Sequence, residues 1–209
     1  MARLRAKDYD DKRTAILEHA ATLFATDGFA AASLSRLAAA CATSKASLYH
    51  YYQSKEAILF DILDGHIRLL LEIVDAAARA PAADARSRLK AMVRALIGAY
   101  DQADHEHRVL LNEITRLAPD QQDQIRQMER AIVARFAEAI SAAIPEMAGH
   151  ERWRTPATMS LLGMLNWHYT WFRRDGWLNR EAYADFACAL FLDGVPGALL
   201  KAAEAPAEV

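Results

Sequence analysis

Between Ser44 and His50 the chain reads Ser-Lys-Ala-Ser-Leu-Tyr-His, seven residues in which one large aliphatic side chain, Leu48, is surrounded by small, polar and cationic ones. On a helix Leu48 turns inward and the others turn out. Short side chains let the backbone come close to base edges. Ser44 and Ser47 can donate to phosphate or base acceptors, Lys45 brings charge, and Tyr49 and His50 reach toward the flanking backbone. Ser33, at the head of an earlier apolar run, and Lys55, beside the free N–H groups opening a later one, are further candidates. The chemistry expected of Ser33, Ser44, Lys45, Ser47, Tyr49, His50 and Lys55 is non-covalent recognition of a phosphodiester duplex.

Constellations for covalent or metal chemistry are missing. There is no Gly-rich phosphate loop, no Gly-x-Ser-x-Gly elbow and no zinc-ligand spacing. No Glu or His is followed by the other type three residues on, as a helical di-iron site requires. His105 and His107 lie two apart and do not share a helical face. The two cysteines, Cys41 and Cys188, cannot form a disulfide framework, and both read as small core residues within apolar patterns. No catalytic residue, metal or cofactor is expected.

The elements that must position these residues are helical. Gly and Pro together number 14 in 209 residues, while 53% of the chain is hydrophobic, a composition of long helices with few tight turns. Ile16, Leu17, Ala20, Ala21, Leu23 and Phe24 form one face of a helix over 12–27, stopped at Asp27-Gly28. Ser33 caps a second helix with Leu34, Leu37, Ala38 and Cys41, and Ser44 caps a third only three residues later. Ser54 caps a long helix that carries Ile58, Leu59, Ile62, Leu63, Ile67, Leu70, Leu71 and Val74 to Ala80-Pro81. Further stripes run through 89–100 and 109–117, then from Pro119 to Pro145. Thr155-Pro156 reads as a cap with proline at the first helical position. The segment 159–172 is apolar nearly all round and needs covering on more than one side, by the body or by another subunit. A last helix starts near Asn179 and weakens at Gly194-Val195-Pro196. No apolar run approaches a membrane span of roughly 18 residues, and no signal peptide is visible, so the expected compartment is the cytoplasm with no membrane partner.

Net charge is −2, but residues 1–55 hold eight Lys/Arg against five Asp/Glu, and residues 56–209 hold 17 against 22. A basic N-terminal module joined to an acidic body fits a small phosphate-facing domain attached to one with another task. Three short helices, the second and third joined by a tight turn, are the layout of a helix-turn-helix whose third helix enters a major groove.

From Arg13-Thr14-Ala15-Ile16-Leu17 through Leu23-Phe24, Asp27-Gly28-Phe29, Ser33-Leu34, Leu37-Ala38 and Ser44 to Glu56, the chain closely resembles the DNA-binding domain of the TetR family. The resemblance spans about 12–60. It implies an all-α homodimer in which an N-terminal three-helix helix-turn-helix domain, 1–55, binds a palindromic operator, and a C-terminal helical domain, 56–209, dimerises and binds a small-molecule effector, usually to repress transcription. Where the family usually has Gly, this chain has Ala42 in the turn and Ala46 early in the recognition helix. The turn must then do without glycine's easy positive φ.

In the body, Leu162–Phe172, then Asp175-Gly176 and Leu192-Asp193-Gly194, look like the subgroup whose effectors are often acyl-CoA thioesters. That resemblance makes Asn166, Trp167 and Trp171 candidates for the acyl group, and Arg116 and Arg174, with Arg126, Arg130 and Arg173 nearby, candidates for the CoA phosphates. For any one aromatic residue, packing is about twice as expected as ligand contact. For Asn166, bonding within the protein and bonding to a ligand weigh equally. The leading expectation is a ligand-controlled repressor of a catabolic operon. Beside it stand an all-helical enzyme acting on a small apolar compound, a regulator of a multidrug efflux gene, and a helical interaction module.

Overall fold

Helix α1 runs from Ala2 to Asp27, ten residues earlier than its apolar face predicts. Residues 2–15 hold no Gly or Pro and are rich in Arg, Lys and Ala, so intrinsic propensity favours helix ahead of the apolar face as well. The structure, a computed structural model, describes the backbone of residues 2–173 and 175–204 and the side chains of 9–173 and 175–202. All regular elements among them are helices. After α1 come α2 (Leu34–Ala40), α3 (Lys45–Tyr51), α4 (Lys55–Arg79), α5 (Ala85–Gln102), α6 (Asp104–Glu113), α7 (Pro119–Ala143), α8 (Arg154–Trp167) and α9 (Arg180–Glu204), with short 3-10 turns between some of them.

The helix ends follow the side chains that can satisfy them. Gly28, at φ +82°, ends α1, its N–H donating to Phe24 O at 3.1 Å. Oγ of Ser33 accepts from Arg36 N–H (3.2 Å), Ser44 from Ser47 N–H (3.0 Å) and Ser54 from Ala57 N–H (3.1 Å), each satisfying one of the four orphan donors of a helix start. The Asn179 side chain does the same for α9 (2.8 Å).

The chain divides into two compact units. One runs to Arg68 and takes in Ala103–Arg126; the other comprises Leu69–Gln102 and the chain from Gln127 on. The first encloses Ile16, Phe24, Leu37, Leu48, Ile58, Leu59, Leu63, Val109, Leu110 and Ile125, all buried. The second encloses Val74, Leu89, Met92, Leu96, Tyr100, Phe136, Ile140, Leu161, Leu165 and Phe191. Helix α6 thus packs on α1 and meets α4 through His107, an association that its own pattern does not reveal.

Five expectations need correction. Helix α8 begins at Arg154, after a 3-10 turn at Glu151–Trp153. Thr155 is therefore not its cap, and Pro156 sits third in the helix, still within the turn where a missing N–H breaks no bond. The segment 159–172 is not one helix: α8 stops at Trp167, and a 3-10 turn follows at His168–Thr170. Helix α9 does not weaken at Gly194-Val195-Pro196 but runs through Pro196 to Glu204. One proline removes one ladder bond, and the Ala- and Leu-rich turns beyond it, with Leu199 buried, re-form the helix. Cys188 is buried, but Cys41 ends α2 and is only partly covered. Finally, although no single run in the sequence is a membrane span, Arg180–Ala202 is long and apolar enough by length and composition, with 39% buried in this fold.

Candidate functional site

The turn between α2 and α3 is held by two backbone bonds, Ala42 N–H to Ala39 O (3.1 Å) and Thr43 N–H to Ala38 O (2.9 Å). This is the Schellman closure of α2, which requires a left-handed residue at the position after the cap. Ala42 takes it at φ +48°. The turn anticipated to lack glycine's freedom adopts positive φ regardless and carries the cost on an alanine.

On α3, Leu48 is 1% exposed and locks the helix to the core, while Lys45, Ala46, Tyr49 and His50 face out and Ser47 is partly covered. Lys45 Nζ lies 6.0 Å from the Tyr49 ring. Ser33 and Ser44 are exposed, with Oγ engaged as caps. Tyr51, closing α3, stacks on Tyr9 of α1 at 4.8 Å. Tyr52 is buried under Arg13, whose guanidinium lies 5.8 Å from the ring and pairs with Asp61 of α4. Burial, and then the Asp61 carboxylate, push the Tyr52 phenol well above its usual range.

Lys55 stands apart from this outward face. Its Nζ donates to the carbonyls of Phe29 (2.6 Å), Ala32 (3.0 Å) and Ala30 (3.4 Å) and sits 4.3 Å from the Phe29 ring. The ammonium is spent on the α1–α2 connection, so a phosphate would have to compete with protein carbonyls for it.

The residues considered for an effector are dispersed. Asn166, half-buried, accepts from the fully buried Tyr100 hydroxyl at 2.7 Å, joining α8 to α5. Burial drives the Tyr100 phenol well up, keeping it a neutral donor. Trp167 is 65% exposed. Trp171 lies beyond the 3-10 turn, 5.1 Å edge-on from Tyr183 and 48% exposed, so the two indoles do not share an α-helical face. Arg116 belongs to the first compact unit, where it pairs with Glu113 at 3.4 Å, whereas Asn166 belongs to the second. Arg126, Arg130 and Arg173 are exposed, and Arg174 lies outside the described residues.

Two buried histidines that the sequence pattern did not single out, His168 and His66, stand out. His168 is buried, its Nδ1 donating to Leu165 O at 2.8 Å, with rings of Tyr100, Phe172 and Tyr183 at 5.7–6.1 Å. His66 of α4 meets His107 of α6, Nε2 to Nδ1 at 3.3 Å, and burial lowers the His66 pKa to about 4. The lone signal for either was a histidine inside an apolar stripe. Among the described residues, no three His, Cys, Asp or Glu side chains are grouped to hold a metal.

The outward faces of α8 and α9 are apolar. Met159 and Trp167 on α8, and Phe186, Leu190 and Leu200 on α9, are each at least half exposed, and a groove of about 340 Å³ lies between the helices, lined by Trp153, Pro156, Phe191, Val195 and Leu199 among others.

A match over residues 16–62 to the bacterial regulatory proteins of the tetR family, and another over 82–195 to the tetracyclin repressor-like C-terminal domain, decide the assignment. This chain belongs to the TetR family. Family members are DNA-binding regulators of transcription and not enzymes. A TetR-family regulator from Bordetella parapertussis 12822 superposes with a TM-score of 0.82 at 34% identity, covering 87% of this chain and 94% of that one. AibR, solved in complex with isovaleryl coenzyme A and operator DNA, superposes with a TM-score of 0.73 at 31% identity, covering 86% and 97%. The transcriptional repressor KstR2 of Rhodococcus jostii RHA1 is 32% identical over 114 residues, 53% of each chain. The chain spans about half the length, or less, of the curated relatives it matches.

Proposed function

We propose that this TetR-family chain is a ligand-responsive repressor of a catabolic operon, acting in the cytoplasm as a homodimer on a palindromic operator and released by a small apolar or acyl-CoA effector. The observation that carries the reading is the outer face of α3, where Lys45, Tyr49 and His50 project, with Ser47 partly covered beside them, from a helix anchored by Leu48 and opened by a capping serine. Small and cationic groups on an anchored helix suit major-groove entry. Residues 1–55 form the DNA-binding domain in this reading, and 56–209 the effector-binding and dimerising one.

The exposed apolar faces of α8 and α9 support the dimer, because monomers rarely leave so much contiguous apolar surface in water. A two-fold axis then sets two copies of α3 about 34 Å apart, one DNA turn. AibR, whose complex holds isovaleryl-CoA, supports an acyl-CoA as effector. Asn166 and Tyr100 are the polar pair proposed to meet it. The indoles of Trp167 and Trp171 supply apolar contact and Arg174 the phosphate charge, whereas Arg116, paired with Glu113 in the first compact unit, is left out of this set.

The test is a gel shift on duplex DNA from upstream of the chain's own gene, at several salt concentrations, followed by titration with isovaleryl-CoA, longer acyl-CoA thioesters and free aromatic acids. A retarded complex that weakens with salt and is released by one thioester class is the expected result. A hundredfold release needs only about 2.7 kcal/mol of differential effector affinity. Turnover of the thioester without any shift of DNA would sink the reading.

A further inference from the structure

Two helix ends in the first compact unit carry a charge of the wrong sign. Lys55 opens α4, and Glu113 closes α6, although a cation is disfavoured at a helix N-terminus and a carboxylate at a C-terminus. Both charges converge on one residue. The Phe29 N–H donates to Glu113 Oε1 at 3.2 Å, and the Phe29 carbonyl accepts from Lys55 Nζ at 2.6 Å. Charge-assisted bonds of this kind are about twice as strong as neutral ones. Beside Phe29, Gly28 is left-handed at φ +82°, with Glu113 Oε1 3.9 Å from where a Cβ would stand. The Phe29 ring is buried edge-on against Phe24 at 5.1 Å. Four residues later Ser33 caps α2, the first helix of the helix-turn-helix.

We infer that Glu113 is a positioning residue for DNA recognition: its carboxylate, with Lys55 opposite, latches the α1–α2 connection to α6 and so sets the attitude of α2 and α3. The proposal rests on the reading that this chain binds operator DNA. Glu113 touches no DNA in it. Arg116, 3.4 Å from Oε2, holds the carboxylate in place, and Thr22 Oγ1 meets His105 Nδ1 at 3.2 Å as a second tie between α1 and α6.

The test uses the full chain with Glu113→Ala and Glu113→Gln, the second keeping a carbonyl oxygen for the Phe29 N–H. The DNA is a duplex enriched by the wild type from a random pool. Glu113→Ala is expected to speed amide exchange about tenfold or more within 28–33, with α5 and α9 unaffected, and to weaken binding to the enriched duplex about tenfold with an unchanged salt slope. Glu113→Gln is expected to restore most of both. Unchanged exchange at 28–33, faster exchange with unchanged affinity, or a loss that only tracks uniform destabilisation of the first unit would each overturn the proposal. A wild type that enriches no duplex removes the repressor reading, and any DNA role for Glu113 with it, whatever the exchange shows.

Discussion

Ala42 holds a left-handed backbone that an L-residue with a Cβ adopts at a cost of roughly 1 kcal/mol. Glycine there relieves the strain while gaining freedom in the unfolded chain, and the two effects oppose each other. Relief outweighs freedom at a positive φ, so Ala42→Gly is expected to stabilise by about 0.5 kcal/mol, raising Tm by about 1–2 °C in calorimetry. A lowered Tm would contradict that balance. The two lysines near the recognition helix separate by a different measurement. Lys45 is exposed on α3 and is expected to give up one phosphate contact, so Lys45→Ala should reduce the slope of log K against log salt by about 1. Lys55→Met should leave that slope unchanged, because its ammonium is engaged by three carbonyls. A slope that falls for Lys55→Met would return that residue to the phosphate-binding set.

Helices α8 and α9 expose a row of apolar side chains that only a second surface can cover. Phe186→Asp and Leu190→Glu, both more than half exposed, are therefore expected to spare the fold and to convert a dimer into a 23.2 kDa monomer in sedimentation at micromolar concentration. A wild type that sediments as a monomer would refute the assignment of this face. At this scale the sequence was informative wherever a stripe repeats at helical spacing: α2, α3, α4 and the start of α9 lie where their caps and apolar faces put them. It was mute where the partner is distant in the chain. Val109 and Leu110 make the same stripe whether α6 packs on the N-terminal helices or on the body, and nothing local says that Glu113 will reach Phe29. The bond between Tyr100 and Asn166 spans 66 residues for the same reason. Pro196 misleads in the other direction, since a proline signals a stop that tertiary burial of Leu199 overrides.

For the molecule as a whole, acid should be the destabilising direction. The buried His66 has a folded pKa of about 4 against about 6.5 when unfolded, and burial is the cause. Between those values the unfolded chain binds the extra proton, so stability falls as pH drops from about 6.5 to about 4, by on the order of 2–3 kcal/mol from this group. Urea midpoints across that range should fall more steeply for the wild type than for His66→Gln; parallel slopes would assign the acid sensitivity elsewhere. A different consequence follows from where the indoles sit. All four tryptophans, Trp153, Trp167, Trp171 and Trp177, lie within 25 residues of one another in the second compact unit, and the unit that carries α2 and α3 has none. Intrinsic emission excited at the indole band therefore reports on the second unit alone, while tyrosine is shared, with Tyr9, Tyr49, Tyr51 and Tyr52 in the first unit and Tyr100, Tyr169 and Tyr183 in the second. With Trp177 standing 94% in solvent, an aqueous quencher separates it from its more shielded neighbours, and the unmodified protein already contains the optical probes needed to watch effector binding without interference from the DNA-binding helices.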